Sequence, residues 1–163
     1  MQQKIYAAFI VFVITVLQIV GQEYGIDILK QETINNKQTE ESVFIVVHIV
    51  DGDTFDVDSG ERIRMLGIDT PERGEYFYKE AKNRLAELIE GKEVELVKDV
   101  SERDRYGRLL RHVYYNNEWI NKKMIDEGFA RFVTFPPDVS HVEVFKKAQR
   151  GARDNKRGMW AKP

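Results

Sequence analysis

Residues 43–69 read VFIVVHIVDGDTFDVDSGERIRMLGID, and the fold is decided there. Val43 to Val50 is a nearly continuous β-branched run, the pattern of a buried strand. Asp51-Gly52 punctuates it. Thr54 to Asp58 is short and alternating, Asp58-Ser59-Gly60 is a turn, and Arg62 to Ile68 returns as a third strand with Ile63 and Met65 on one side.

Further along, Glu75 to Glu90 carries Ala81, Leu85, Leu88 and Ile89 at helical spacing, and Gly91 is a natural stop. Val94 and Leu96 mark a fourth strand. Leu109 to Tyr115 makes a fifth, turned by Asn116-Asn117. Ile120, Met124 and Ile125 suit a second helix ending at Gly128. Pro136-Pro137 breaks the chain, and Ser140 with Glu143 has the form of a capping box. Val142, Phe145, Ala148 and Ala152 give the third helix its inner face. Five strands with a helix between the third and fourth predict an α+β, mainly β fold: a five-stranded closed barrel of the OB type with three helices. Closure would also remove exposed strand edges.

Upstream, Lys4 precedes an apolar run of sixteen residues, Ile5 to Val20. That is near the upper end of a signal-peptide core and slightly short for a spanning helix. We expect residues 1–21 to be a signal peptide or membrane anchor, an N-terminal hydrophobic helix that makes the protein secreted or extracytoplasmic. Residues 22–41 are polar and expected to be a linker, and residues 42–163 the folded domain. The 163 residues include no cysteine, which excludes disulfides and thiolate metal sites. Residues 42–163 hold 22 Lys+Arg and 22 Asp+Glu, so charge alone will not bind nucleic acid tightly. Residues 141–163 nevertheless hold seven basic residues against Glu143 and Asp154, either a solvated helix face or a binding patch.

The chemistry lies in four short pieces. Asp51-Gly52-Asp53-Thr54 is either a hairpin turn or a source of metal ligands. A calcium EF-hand loop is excluded, because its fifth and sixth positions would be Phe55 and Asp56 instead of an Asp or Asn and a Gly. In Asp69-Thr70-Pro71-Glu72, the proline favours a turn that brings Asp69 and Glu72 round to one cavity, or leaves them as surface acids. Arg64 sits mid-strand, either facing solvent or paired with a nearby acid. Arg108 follows Tyr106-Gly107 at the entrance to the fifth strand, an ordinary loop arginine or one reaching over the barrel mouth. Taken together these parts suit phosphodiester hydrolysis. Hard oxygen ligands suit calcium or magnesium. A glutamate off the metal can take a proton from water. Two guanidinium groups can grip phosphate oxygens as charge builds.

In this combination the chain resembles the staphylococcal nuclease (thermonuclease) family. The resemblance covers roughly Val46 to Trp160 and rests on Asp51-Gly52-Asp53-Thr54, on Arg64 to Glu72, on Asp104-Arg105-Tyr106-Gly107-Arg108 and on Trp160. It implies an OB-type barrel with three helices and calcium-dependent hydrolysis of DNA and RNA. Asp53 and Asp69 would ligate Ca2+ by carboxylate and Thr70 by its backbone carbonyl. Glu72 would activate the attacking water, Arg64 and Arg108 would bind the scissile phosphate, Tyr106 would sit beside the nucleotide, and Asp51 would support the site. The expected partner is a nucleic acid substrate, with membrane attachment through residues 5–20 open, and the protein is expected to be a monomer. The segment Arg73 to Tyr78 is shorter than in well-known secreted members, and a nucleotide-stacking tyrosine is replaced by Thr134 or Phe135. A second expectation is a non-catalytic module of this family that binds nucleic acid or protein; the presence of Arg64, Asp69, Glu72 and Arg108 argues against it.

Overall fold

The computed structural model describes residues 42–161, so the expectations for residues 1–41 lie outside the described residues. The strands are β1 (Ser42–Asp51), β2 (Thr54–Val57), β3 (Arg62–Met65), β4 (Ile68–Asp69), β5 (Glu93–Val97), β6 (Leu109–Tyr115), β7 (Glu118–Trp119) and β8 (Arg131–Phe132). The helices are α1 (Tyr78–Ile89), α2 (Ile120–Asp126) and α3 (Val142–Asp154), followed by a 3-10 turn at Gly158–Ala161. The main sheet runs β3-β2-β1-β5-β6-β7, and a parallel pairing of β3 with β6 closes the first five into a barrel. The expected five-stranded OB-type barrel with three helices is what the chain forms. Period-two alternation explains its inside: Ile63 and Met65 on β3 and Val94 and Leu96 on β5 are sealed in the core. Leu85, Ile89, Met124 and Phe145 pack against them from the helices.

Four local expectations differ from the structure. Strand β1 is not buried on both faces, since Val43, Ile45 and Val47 are exposed. The third strand does not run unbroken to Ile68. It ends at Met65, and Leu66-Gly67 turns the chain into β4, which pairs with β8 through Ile68 and Phe132. Gly67 is required at this turn: its φ is +74°, and a Cβ there would lie 2.2 Å from the Phe145 ring. Helix α1 starts at Tyr78 instead of Glu75, because the Glu75 carboxylate turns back to accept from the Glu72 N–H at 2.8 Å. The capping box is absent: His141 caps α3 without a side-chain bond, and Ser140 donates its hydroxyl to Asp99 at 2.5 Å. That bond ties the segment before α3 to the loop after β5, a long-range contact that outweighs a local cap. Asn116-Asn117 does form the expected turn, both residues taking positive φ, as a tight hairpin demands.

One core group is titratable. His112 is 3% exposed, and neither ring nitrogen finds a hydrogen-bond partner among the described residues. Its ring lies edge-on to Trp119 and His141. Burial lowers its pKa from 6.5 to about 4; His141 adds to this, while Asp99 and Asp138 oppose it. The unfolded chain therefore takes up a proton near pH 6.5 that the folded chain refuses until about pH 4. Stability is full above that window and falls by about 3 kcal/mol as pH drops through it. His112→Phe removes the titration and keeps an aromatic ring at the position. Urea unfolding at neutral pH and near pH 4.5 is expected to show a smaller loss for the variant, and an equal loss would contradict this account.

Candidate active site

The hairpin between β1 and β2 carries the first acid. Gly52 and Asp53 form its turn, with Asp51 opposite Thr54. Gly52 is needed here because a Cβ would come within 2.9 Å of the Thr70 side chain. With that approach allowed, Thr70 donates its N–H (3.0 Å) and hydroxyl (3.2 Å) to Asp53 Oδ2. Thr54 donates its hydroxyl to Asp53 Oδ1 at 3.0 Å. Alternation on β3 buries Ile63 and Met65 and turns Arg64 to the opposite face, where its Nη1 reaches Asp53 Oδ2 at 3.0 Å and the Met65 carbonyl at 3.1 Å. Its Nη2 lies 3.6 Å from Asp69 Oδ1. Two carboxylates 16 residues apart in sequence thus converge on one guanidinium. Burial pushes the Asp53 carboxyl up to about 6, Arg64 opposes this, and the neighbouring Asp51 carboxylate adds to it. Asp51 also accepts from the Asp53 N–H at 3.2 Å.

Arg108 joins from the loop before β6. Its Nε donates to Asp104 Oδ2 at 2.6 Å, and its Nη1 stands 3.5 Å from the Thr54 hydroxyl that serves Asp53. Asp104 organises this loop, accepting also from the N–H groups of Tyr106 (2.9 Å) and Arg108 (3.1 Å). Its partial burial opposes ionisation, but the bonds from Arg108 and Tyr106 outweigh that and hold its carboxyl below the usual range. Tyr106 is 69% exposed, with the Arg108 guanidinium 5.5 Å from its ring centre. Glu72 follows β4 by three residues and is exposed; among the described residues its carboxylate has neither a hydrogen bond nor an ion pair. Asp53, Arg64, Asp69, Thr70 and Arg108 are therefore linked by contact and Tyr106 is attached through Arg108, while Glu72, two residues beyond Thr70, makes no hydrogen bond or ion pair with them among the described residues.

Residues 62–162 match the family model described as "Staphylococcal nuclease homologue". The chain belongs to the staphylococcal nuclease family. A thermonuclease of Staphylococcus hyicus is 33% identical over 130 residues, covering 74% of this chain and 77% of that protein. A micrococcal nuclease of Shigella flexneri is 37% identical over 133 residues, covering 72% of this chain and 73% of that one. The SPbeta prophage-derived endonuclease YokF of Bacillus subtilis is 32% identical over 124 residues, 69% of this chain but 42% of its own length. Arg64, Asp69, Thr70, Glu72, Tyr106 and Arg108 fall inside the segment matched to the staphylococcal nuclease family, and Asp53 precedes it.

Three residues gain a place that the sequence does not announce. Arg131 on β8 grips Asp69 Oδ2 at 2.7 Å, from 62 residues away, because β4 pairs with β8. Thr54 bridges Asp53 and Arg108, and Asp104 holds Arg108. Thr54 and Asp104 stand in the motifs themselves. Nothing local marks Arg131.

Proposed function

We propose that the protein is a calcium-dependent nuclease, hydrolysing phosphodiester bonds of DNA or RNA outside the cytoplasm. The observation that carries this is the convergence of Asp53 and Asp69 on Arg64, with Arg108 linked to the same cluster through Thr54. The relatives named nucleases support the reaction class. The apolar run at residues 5–20 supports export, cleaved or tethered. One chain supplies every residue of the site, so a monomer suffices.

The donor set fits calcium. Asp53 and Asp69 are hard oxygen donors close enough to share one cation, as they now share Arg64. Burial penalises the bare Asp53 charge, which a cation would relieve. No group of three or more His, Cys, Asp or Glu side chains suited to a metal occurs among the described residues. Asp53, Asp69 and the Thr70 carbonyl would hold the ion. When bound, calcium supplies positive charge against the phosphate and a site for water. Glu72, unpaired, accepts the proton as the water oxygen attacks phosphorus. Arg64 and Arg108 donate N–H groups to the phosphate oxygens as charge accumulates, and the bond from phosphorus to the sugar oxygen breaks, the freed oxygen taking a proton from solvent water. Asp104 engages Arg108 through its Nε, while Tyr106 offers an aromatic face to a base.

Calcium titration of the purified chain tests the metal. At about a hundred times its Kd the ion is expected to stabilise the fold by about 3 kcal/mol, read as a rise in Tm. Asp53→Asn is expected to abolish that rise. A wild-type Tm indifferent to calcium would contradict the assignment.

A further inference from the structure

The basic stretch at the C-terminus finds a direction in the structure. Residues 42–140 hold 15 Lys+Arg against 20 Asp+Glu, so residues 141–163 form a basic island on an acidic domain. On α3, Phe145, Ala148 and Ala152 face the core. At 100° per residue, Lys146, Arg150 and Arg153 fall on one flank of the helix, on the same side as Gln149. All three cations are exposed. Gln149 accepts from the Phe132 N–H at 2.9 Å, which puts this flank beside β8. Strand β8 carries Arg131, whose guanidinium holds Asp69 of the catalytic cluster. This flank therefore adjoins the strand that meets the active site. Among the described residues Lys146 pairs only with Glu143, at 2.9 Å and in solvent, a bond of little strength. Arg150 has no pairing among the described residues. The Arg153 guanidinium carbon lies over the Trp160 ring, 4.3 Å from its centre, and among the described residues Arg153 has no ion pair.

We propose that this flank of α3 is a second contact for the polynucleotide, binding the phosphates of a single strand beyond the scissile bond. The proposal rests on the nuclease reading for its substrate. The stripe spans about 10 Å along the helix, enough for a few consecutive phosphates. An anionic membrane surface would need large apolar side chains on the same flank. The exposed apolar residue of α3 is Val144, on the opposite flank.

The test measures binding of the full chain to a fluorescent single strand of about 20 nucleotides, with a chelator present to prevent cleavage. The triple variant Lys146→Gln, Arg150→Gln, Arg153→Gln is compared with wild type from about 50 to about 200 mM salt. Three lost phosphate contacts are expected to flatten the slope of log K against log salt by about 2 and to weaken binding at low salt at least about tenfold. Unchanged affinity and slope would overturn the proposal. So would a variant that loses binding to vesicles rich in phosphatidylserine while keeping its affinity for the strand. Hydrolysis of a dinucleotide with calcium is measured separately. If wild type cleaves it and the triple variant binds long strands normally, the α3 contact alone fails. If wild type cleaves nothing while the triple variant loses strand binding, the contact stands and the nuclease reading fails.

Discussion

Arg108→Ala is expected to lower kcat/KM on single-stranded DNA by about two to three orders of magnitude, the usual effect of removing a donor aimed at developing phosphate charge. The arginine is preset for that task. Asp104 takes its Nε at 2.6 Å and pins the surrounding turn through two backbone N–H groups. The guanidinium is thus fixed in one plane before substrate arrives, and little entropy remains to be lost on binding. Arg108→Lys is expected to recover only a small part of the loss, because a point charge cannot offer two parallel donors. The Tm should hardly move, since Asp104 would lose a partner at the edge of solvent. Calcium-supported kinetics for the three proteins decide the matter. A loss under about tenfold for alanine would remove Arg108 from the phosphate site.

Asn121→Ala is expected to cost about 3 kcal/mol of stability, lowering Tm by on the order of 10 °C. Asn121 is fully buried. Its Oδ1 accepts from the Val113 N–H at 2.8 Å, and its Nδ2 donates to the Leu66 carbonyl at 2.8 Å and more weakly to Arg111. Alanine would leave the Val113 N–H and the Leu66 carbonyl in the core without partners and a cavity beside them. Leu66 opens the turn that carries the chain from β3 into β4, so the variant should also loosen Asp69 and raise the calcium concentration needed for half-maximal activity. Urea unfolding measures the first effect and a calcium titration of activity the second. A change under about 1 kcal/mol would mean that the Leu66 turn does not depend on this side chain.

Much of the barrel was legible in the sequence because its signals are local. β-branched runs, two hairpin turns and helical spacing depend on neighbours a few residues apart, and Arg64 stood out as a charge within a strand. The parts that were not legible are set by contacts far along the chain. The break after Met65 depends on Gly67 fitting under Phe145 and on Ile68 finding Phe132. The expected cap at Ser140 lost to Asp99, 41 residues earlier. The grip of Arg131 on Asp69 follows from the same β4–β8 pairing and has no motif of its own. The motifs, read with the family resemblance, named Asp53, Arg64, Asp69, Thr70 and Arg108. They could not supply the bridge through Thr54 that joins Arg108 to Asp53.

The reaction itself is tested most directly by release of acid-soluble nucleotides from single-stranded DNA, with calcium and with a chelator, for wild type and for Glu72→Ala. The account predicts release by wild type with calcium, none with the chelator, and a rate about two or more orders of magnitude lower for the variant. No release with calcium, or equal release in the chelator, would contradict it.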